Sequence, residues 1–237
     1  EIEELGRFLQ GFANRTLDVG HLHEVLNNAW KTAKLHREIY ELRGARPCPM
    51  SNRQGMQVAI IGTLYSGTHE GLNYFLAVRD ELQDMVAKGI GYASEEKHRL
   101  ISLFPTPIYA LKLLDWMERE HGVMIVSEPL NSCWGDWELQ PADLFGSLAA
   151  KCFAMPNSRQ LHGPAHVAAI FDSVEAAVKN RADGAIYWAN ISCPQCLALI
   201  RLLSDALSEQ AGIPTLVLRV DVQDPSTFSH EDIKSHF

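Results

Sequence analysis

GAIYWANISCPQCLALIRLLSDALSEQAGIP, residues 184–214, is the stretch whose reading decides the fold. It opens with a short apolar run, AIYWAN (185–190), then a polar turn carrying Cys193 and Cys196. Apolar residues follow at helical spacing until Gly212 and Pro214 stop them. Ser192 has a side chain suited to a helix N-cap, and Pro194 suits the first helical position, where its missing N–H costs nothing. The expectation is strand, tight turn, helix, with Cys193 at the helix N-terminus. Unpaired N–H groups and the macrodipole favour an anion there. A thiol so placed is expected to ionise readily, and thiolate is the form that binds metal or attacks a disulfide.

The same alternation extends on both sides. RLISLF (99–104), VMIVSE (123–128) and TLVLRV (215–220) are short apolar runs closed by polar, Pro or Gly residues. Helical stretches are expected between them at 108–121, 141–154, 165–180 and 195–211. Alternating strand and helix implies right-handed crossovers and a parallel sheet. Ligands of such sheets collect beyond the carboxyl ends of the strands. The loops there are Phe104-Pro105-Thr106, Glu128–Trp137, Asn190–Cys193 and Asp221–Pro225.

Upstream the pattern is helical. Leu22, Val25, Leu26, Ala29, Ala33, Leu35 and Ile39 form one stripe, ending near Arg43-Gly44, and a second helix is expected over Leu72–Lys88. GMQVAIIGTLYSG (55–67) stays open between a strand entering a glycine loop and a buried helix. No Gly-Lys-Ser/Thr follows it, which disfavours a phosphate loop. The fold class is therefore α/β: a mainly helical segment, 1–95, packed on a small Rossmann-like or flavodoxin-like domain, 96–237, with a four-stranded parallel sheet carrying Cys193.

The composition excludes several classes. With 237 residues, 46% hydrophobic and 21% charged, the chain can bury a proper core. A net charge of -8 without a basic stripe argues against nucleic acid. No run of 18 apolar residues suggests a membrane span. The five irregularly spaced cysteines point to a reducing, cytoplasmic setting rather than a disulfide framework. The chain starts at Glu1 without a signal peptide, as a processed or shortened product would.

The residues of CPQC (193–196) leave three readings open: a thioredoxin-like dithiol, a thiolate metal site, or two small half-buried apolar residues at a helix start. In LNSCWGDWEL (130–139), Trp134 and Trp137 form either a flat wall of a ligand pocket or a plug between the two parts of the chain. In QLHGPAHVAAIFDSVEAAV (160–178), His162 and His166 lie four apart, yet Pro164 is expected to open the helix between them. That weakens a zinc reading and leaves His162 to donate a hydrogen bond to a substrate carbonyl or phosphate. Cys48 reads as incidental in a Pro-bounded connector, and Cys152 is expected to face the core.

DGAIYWANISCPQC (183–196), AGIPTLVLRVDVQDPSTFS (211–229) and HRLISLFPTPIYALKLLDWMEREHGVMIVSE (98–128) together resemble the 2-hydroxyacyl-CoA dehydratase and benzoyl-CoA reductase superfamily. The resemblance implies an oxygen-sensitive heterodimer whose homologous subunits each hold an iron–sulfur cluster, usually [4Fe-4S], through three cysteines. An ATP-dependent activator iron–sulfur protein would inject one electron. The acyl-CoA then becomes a ketyl radical that loses water, or an aromatic acyl-CoA is reduced. The third cluster cysteine falls on Cys193, in Asn190-Ile191-Ser192-Cys193; Cys196 is outside the pattern. The first two belong, in the family, to a domain before residue 1. The chain thus reads as the C-terminal portion of a subunit, contributing one cluster ligand and inactive alone. Thr106, Trp134, Trp137 and His162 are the residues expected to line the acyl-CoA crevice.

Overall fold

The computed structural model describes residues 1–130, 135–155 and 165–234. The four apolar runs form His98–Leu103 (β1), Val123–Ser127 (β2), Gly184–Asn190 (β3) and Thr215–Val220 (β4). They pair in the order β2-β1-β3-β4, every pair parallel. Nearly every residue of β2 and β3 is buried, as continuous apolar strands in a sheet covered on both faces require.

The helices are α1 (Ile2–Ala13), α2 (Val19–Arg43), α3 (Asn52–Tyr65), α4 (His69–Ala87), α5 (Leu111–His121), α6 (Leu144–Ala154), α7 (Ala165–Lys179), α8 (Pro194–Ala206) and α9 (His230–Lys234). The open segment 55–67 resolves as helix: Ser51 caps α3 by accepting from the Gln54 amide at 3.0 Å. On one face of the sheet, α7 and α8 pack over Ile101, Leu103, Ala185, Tyr187 and Ala189. On the other, α5 buries Leu113, Leu114 and Met117 against Val123, Ile125, Ile186 and Trp188. No helix among the described residues is long and apolar enough to cross a membrane.

The helical front is fused to the sheet through β2. Met124 and Val126 enter the core that α2, α3 and α4 build from Leu35, Ile39, Val58, Phe75 and Leu82. Asn52 completes the join. Its Nδ2 donates to the Val123 carbonyl at 2.9 Å and its Oδ1 accepts from Ile125 N–H at 2.7 Å, so one amide side chain pairs with the outer edge of β2 as a neighbouring strand would. Its own N–H donates to Glu118 on α5 at 2.8 Å.

His36 lies wholly within this front, its ring 4.8 Å from that of Tyr40 and 5.2 Å from that of Phe75. Burial first, then the positive charge of Arg43, push its imidazole well below the ordinary 6.5. The unfolded chain takes up a proton below that pH and the folded chain does not, so stability is full above pH 6.5 and lost as the pH falls. The slope approaches about 1.4 kcal/mol per pH unit for one such group. Urea unfolding at pH 7 and pH 5 measures it. His36→Phe, which keeps the ring packing, is expected to flatten the dependence, and equal slopes in both proteins would refute the assignment.

Candidate functional site

The strand order sets the position of the site. From β1 the chain crosses through α5 to β2; from β3 it crosses through α8, on the opposite face, to β4. The loops leaving β1 and β3 therefore part, and open a crevice at the carboxyl edge of the sheet, the topological switch point. Phe104–Thr106 forms one side and Asn190–Cys193 the other.

Cys193 itself is the N-cap of α8, with φ -112° and ψ 102°, and Pro194 follows as the first helical residue. The cap expected at Ser192 thus lies one residue later, because proline at N1 makes its predecessor the cap. The Cys193 side chain makes no capping hydrogen bond and is half-buried. Its N–H closes the turn onto the Asn190 carbonyl at 3.0 Å, and Ile191 N–H donates to Val220 O at 2.8 Å. The Ser192 hydroxyl meets Asn190 Oδ1 at 3.0 Å and also the Asp221 carboxylate, which fastens the cysteine turn to the loop after β4.

That second loop is itself tightly held. Asp221 Oδ1 accepts from Gln223 N–H at 2.9 Å and Asp224 N–H at 3.2 Å, its own N–H reaches Thr227 Oγ1 at 2.9 Å, and Tyr109 donates to its carbonyl. The Gln223 amide above all, then the Ser192 hydroxyl, holds the Asp221 carboxyl below its usual range. A fixed negative charge stands beside the crevice.

Beneath the turn the environment changes. Cys196 is buried, donates to Trp188 O at 3.4 Å, and burial pushes its thiol up. Tyr187 donates to the Cys196 carbonyl at 2.6 Å, and its phenol is likewise pushed up, chiefly by burial. Phe104 tilts over Tyr187 with ring centroids 5.1 Å apart and holds φ at +65°, a left-handed conformation costing about 1–3 kcal/mol outside glycine. Thr106 is half-buried, its Oγ1 3.3 Å from Ser102 Oγ, which also accepts from Trp188 Nε1 at 2.9 Å.

Thr106 and Cys193 thus follow the neighbouring strands β1 and β3 at the same carboxyl edge of the sheet. Trp137 is 6% exposed and packs with Leu26, Ala29 and Ala33 of α2, the position of a plug against the helical front rather than of an open wall. Trp134 and His162 lie outside the described residues, as does Cys133; His166 is exposed on the first turn of α7. Cys48 is buried and donates to Met50 O at 3.4 Å. Cys152 is exposed, against expectation: α6 turns Ser147 inward instead, where its hydroxyl donates to the Asp143 carbonyl at 2.9 Å. The Ser192–Asp221 link was not anticipated, although Asp221-Val222-Gln223 is the composition of a side-chain-capped turn.

Among the described residues no three His, Cys, Asp or Glu side chains converge as a metal site would require. Cys193 can offer one thiolate to a group in the crevice. An iron–sulfur cluster takes several, so the described residues do not complete a cluster site by themselves.

Two curated relatives match the chain at low identity. It is similar to one of the subunits of benzoyl-CoA reductase from Thauera aromatica, 24% identical over 98% of this chain and 56% of that protein. It is also similar to the (R)-phenyllactyl-CoA dehydratase alpha subunit of Clostridium sporogenes, 23% identical over 93% of this chain and 52% of the relative. The chain spans about half the length of these curated relatives. Residues 1–236 match one family model throughout, and the chain belongs to the 2-hydroxyglutaryl-CoA dehydratase, D-component family.

Proposed function

We propose that the chain is part of a subunit of an iron–sulfur 2-hydroxyacyl-CoA dehydratase, which removes water from a 2-hydroxyacyl-CoA, and that Cys193 is one cluster ligand. The observation that carries this reading is the place of the Cys193 sulfur: at the switch point, on a helix N-cap, and free of any capping bond. The remaining thiolates would come from outside the described residues. A [4Fe-4S] group held there would supply one low-potential electron to the thioester carbonyl, giving a ketyl radical. A separate ATP-hydrolysing activator would deliver that electron, and a homologous second subunit would complete the assembly.

The chain's own residues have definite tasks in this reading. Thr106 offers a hydroxyl to the acyl-CoA oxygen atoms at the crevice. Phe104 and Tyr187 give its floor an apolar character that excludes water, which strengthens each remaining polar interaction. Trp134 and His162, outside the described residues, are the further side chains this reading assigns to the lining of the acyl-CoA crevice. The Ser192–Asp221 link keeps the cysteine turn in place while the crevice is occupied. The described cysteines are all free thiols, in keeping with a cytoplasmic, anaerobic setting.

A second reading is supported by the match to the Thauera aromatica protein: reduction of an aromatic acyl-CoA at the same crevice. The full-length subunit, purified anaerobically with its partner and activator, separates the possibilities. We expect a brown protein absorbing near ~400 nm, as thiolate-ligated clusters do, that dehydrates a 2-hydroxyacyl-CoA and leaves benzoyl-CoA unchanged. Reduction of benzoyl-CoA instead would establish the second reading. A colourless protein that reduces disulfides through Cys193 and Cys196 would overturn both.

A further inference from the structure

At the opposite edge of the sheet, far along β1 and β3 from Cys193, the ends of α2 and α7 meet over a cavity of about 360 Å³. Its lining is Gly44, Ala45 and Arg46 after α2, Lys179, Asn180 and Arg181 at the end of α7, and Arg99 of β1. Four of these seven side chains are cationic in a chain whose net charge is -8. Gly44 permits the meeting, because a β-carbon there would collide with Asn180 Oδ1.

Two helix C-termini would ordinarily repel an anion. Here their carbonyl groups are already engaged. The buried Arg99 guanidinium donates to Gly44 O at 2.8 Å, Ala45 O at 3.1 Å and Asn180 O at 2.9 Å, and it pairs with Glu96. Lys179 pairs with Glu41 at 2.5 Å. Arg46 and Arg181 are both exposed and form no ion pair among the described residues.

Arg181 also breaks a local rule. It follows α7 in a Schellman-type turn, with Ala182 N–H on Ala177 O at 2.9 Å and Arg181 N–H on Val178 O at 3.2 Å. Its φ is +50°, a conformation that favours glycine. The macrodipole of α7 favours a cation at this position, and the Arg181 side chain lines the cavity beside Arg46.

We propose that Arg46, Arg181 and Lys179 form a binding site for a phosphate group, as the free anion or as a small phosphate monoester. Arg46 and Arg181 give guanidinium forks that match phosphate oxygens two at a time, and Lys179 adds a point charge. The cavity volume falls in the range of small-molecule sites, which leaves room for an organic group on the phosphate. The proposal is independent of the chemistry at Cys193.

Calorimetric titration of the full-length protein at low ionic strength tests it, with inorganic phosphate, AMP and adenosine as separate probes. We expect phosphate and AMP to bind, adenosine to give no heat, and added salt to weaken both complexes. Tighter binding of AMP identifies an ester as the ligand, and equal affinity identifies the free anion. Arg181→Gly is expected to keep or raise the thermal midpoint, since it relaxes the backbone, while weakening phosphate at least tenfold. Arg46→Gln should weaken it similarly. Absence of phosphate and AMP binding, adenosine binding as tight as AMP, or wild-type affinity in both variants would each overturn the site.

Discussion

Arg43→Met is expected to lower the unfolding free energy by about 3–5 kcal/mol, because it strands a buried carboxylate. The Arg43 and Glu128 side chains are 0% and 5% exposed, with Nη1 3.6 Å from Oε2. Beyond this contact, no hydrogen bond among the described residues reaches the three guanidinium nitrogens. The group lies instead against the backbone of Gly55, where a β-carbon would collide with it, and over the Tyr40 ring at 5.9 Å. Burial works against its charge, but Glu128, Tyr40 and Cys48 more than offset this and hold Arg43 above its ordinary range. Removing the cation takes the Arg43 charge away from a carboxylate that stays in a low-dielectric interior, with the Tyr40 hydroxyl still donating to its Oε2 at 3.4 Å. The double variant Arg43→Met with Glu128→Gln should recover most of the loss, since no buried charge is then left alone. Chemical denaturation of the three variants against wild type measures this. A single variant within about 1 kcal/mol of wild type, the ordinary scale of a point change, would show that the pair is not what joins α2 to the end of β2.

The second large effect concerns Cys193. If the proposed function holds, Cys193→Ala in the full-length subunit is expected to strip most of the iron and abolish acyl-CoA turnover, while Cys196→Ala keeps its iron and loses stability. The difference follows from placement: Cys193 caps α8 at the crevice, whereas Cys196 is buried and directed to the Trp188 carbonyl. Iron content and visible absorbance read the ligand role, and thermal unfolding reads the structural one. Equal iron loss in both variants would count against Cys193 as the specific ligand.

The sheet was legible from residues alone because its strands are short apolar runs between glycine, proline and polar turns, and the four ranges agree with the observed strands to within a residue or two. The segment 55–67 was not, since VAII (58–61) has the length of a buried strand. The deciding signal lay just upstream: Ser51-Asn52-Arg53-Gln54 has the spacing of a helix capping box. Cys152 misled for a related reason. In the apolar stretch LFGSLAAKCFA (144–154) periodicity hardly distinguishes the faces, and the polar Ser147 proved to be the inward residue. Arg43 with Glu128, and Ser192 with Asp221, pair across long separations in sequence. Only a folded chain brings such groups together. Cys193 was readable because proline after it marks the helix start.

The amide of Asn52 has a consequence for how copies of this chain can associate. By occupying the hydrogen-bonding groups of Val123 and Ile125, it denies that border of the sheet to an incoming strand. Strand addition is thereby closed at the β2 border of the sheet. The other border, β4, keeps Thr215, Leu216 and Val217 half-buried.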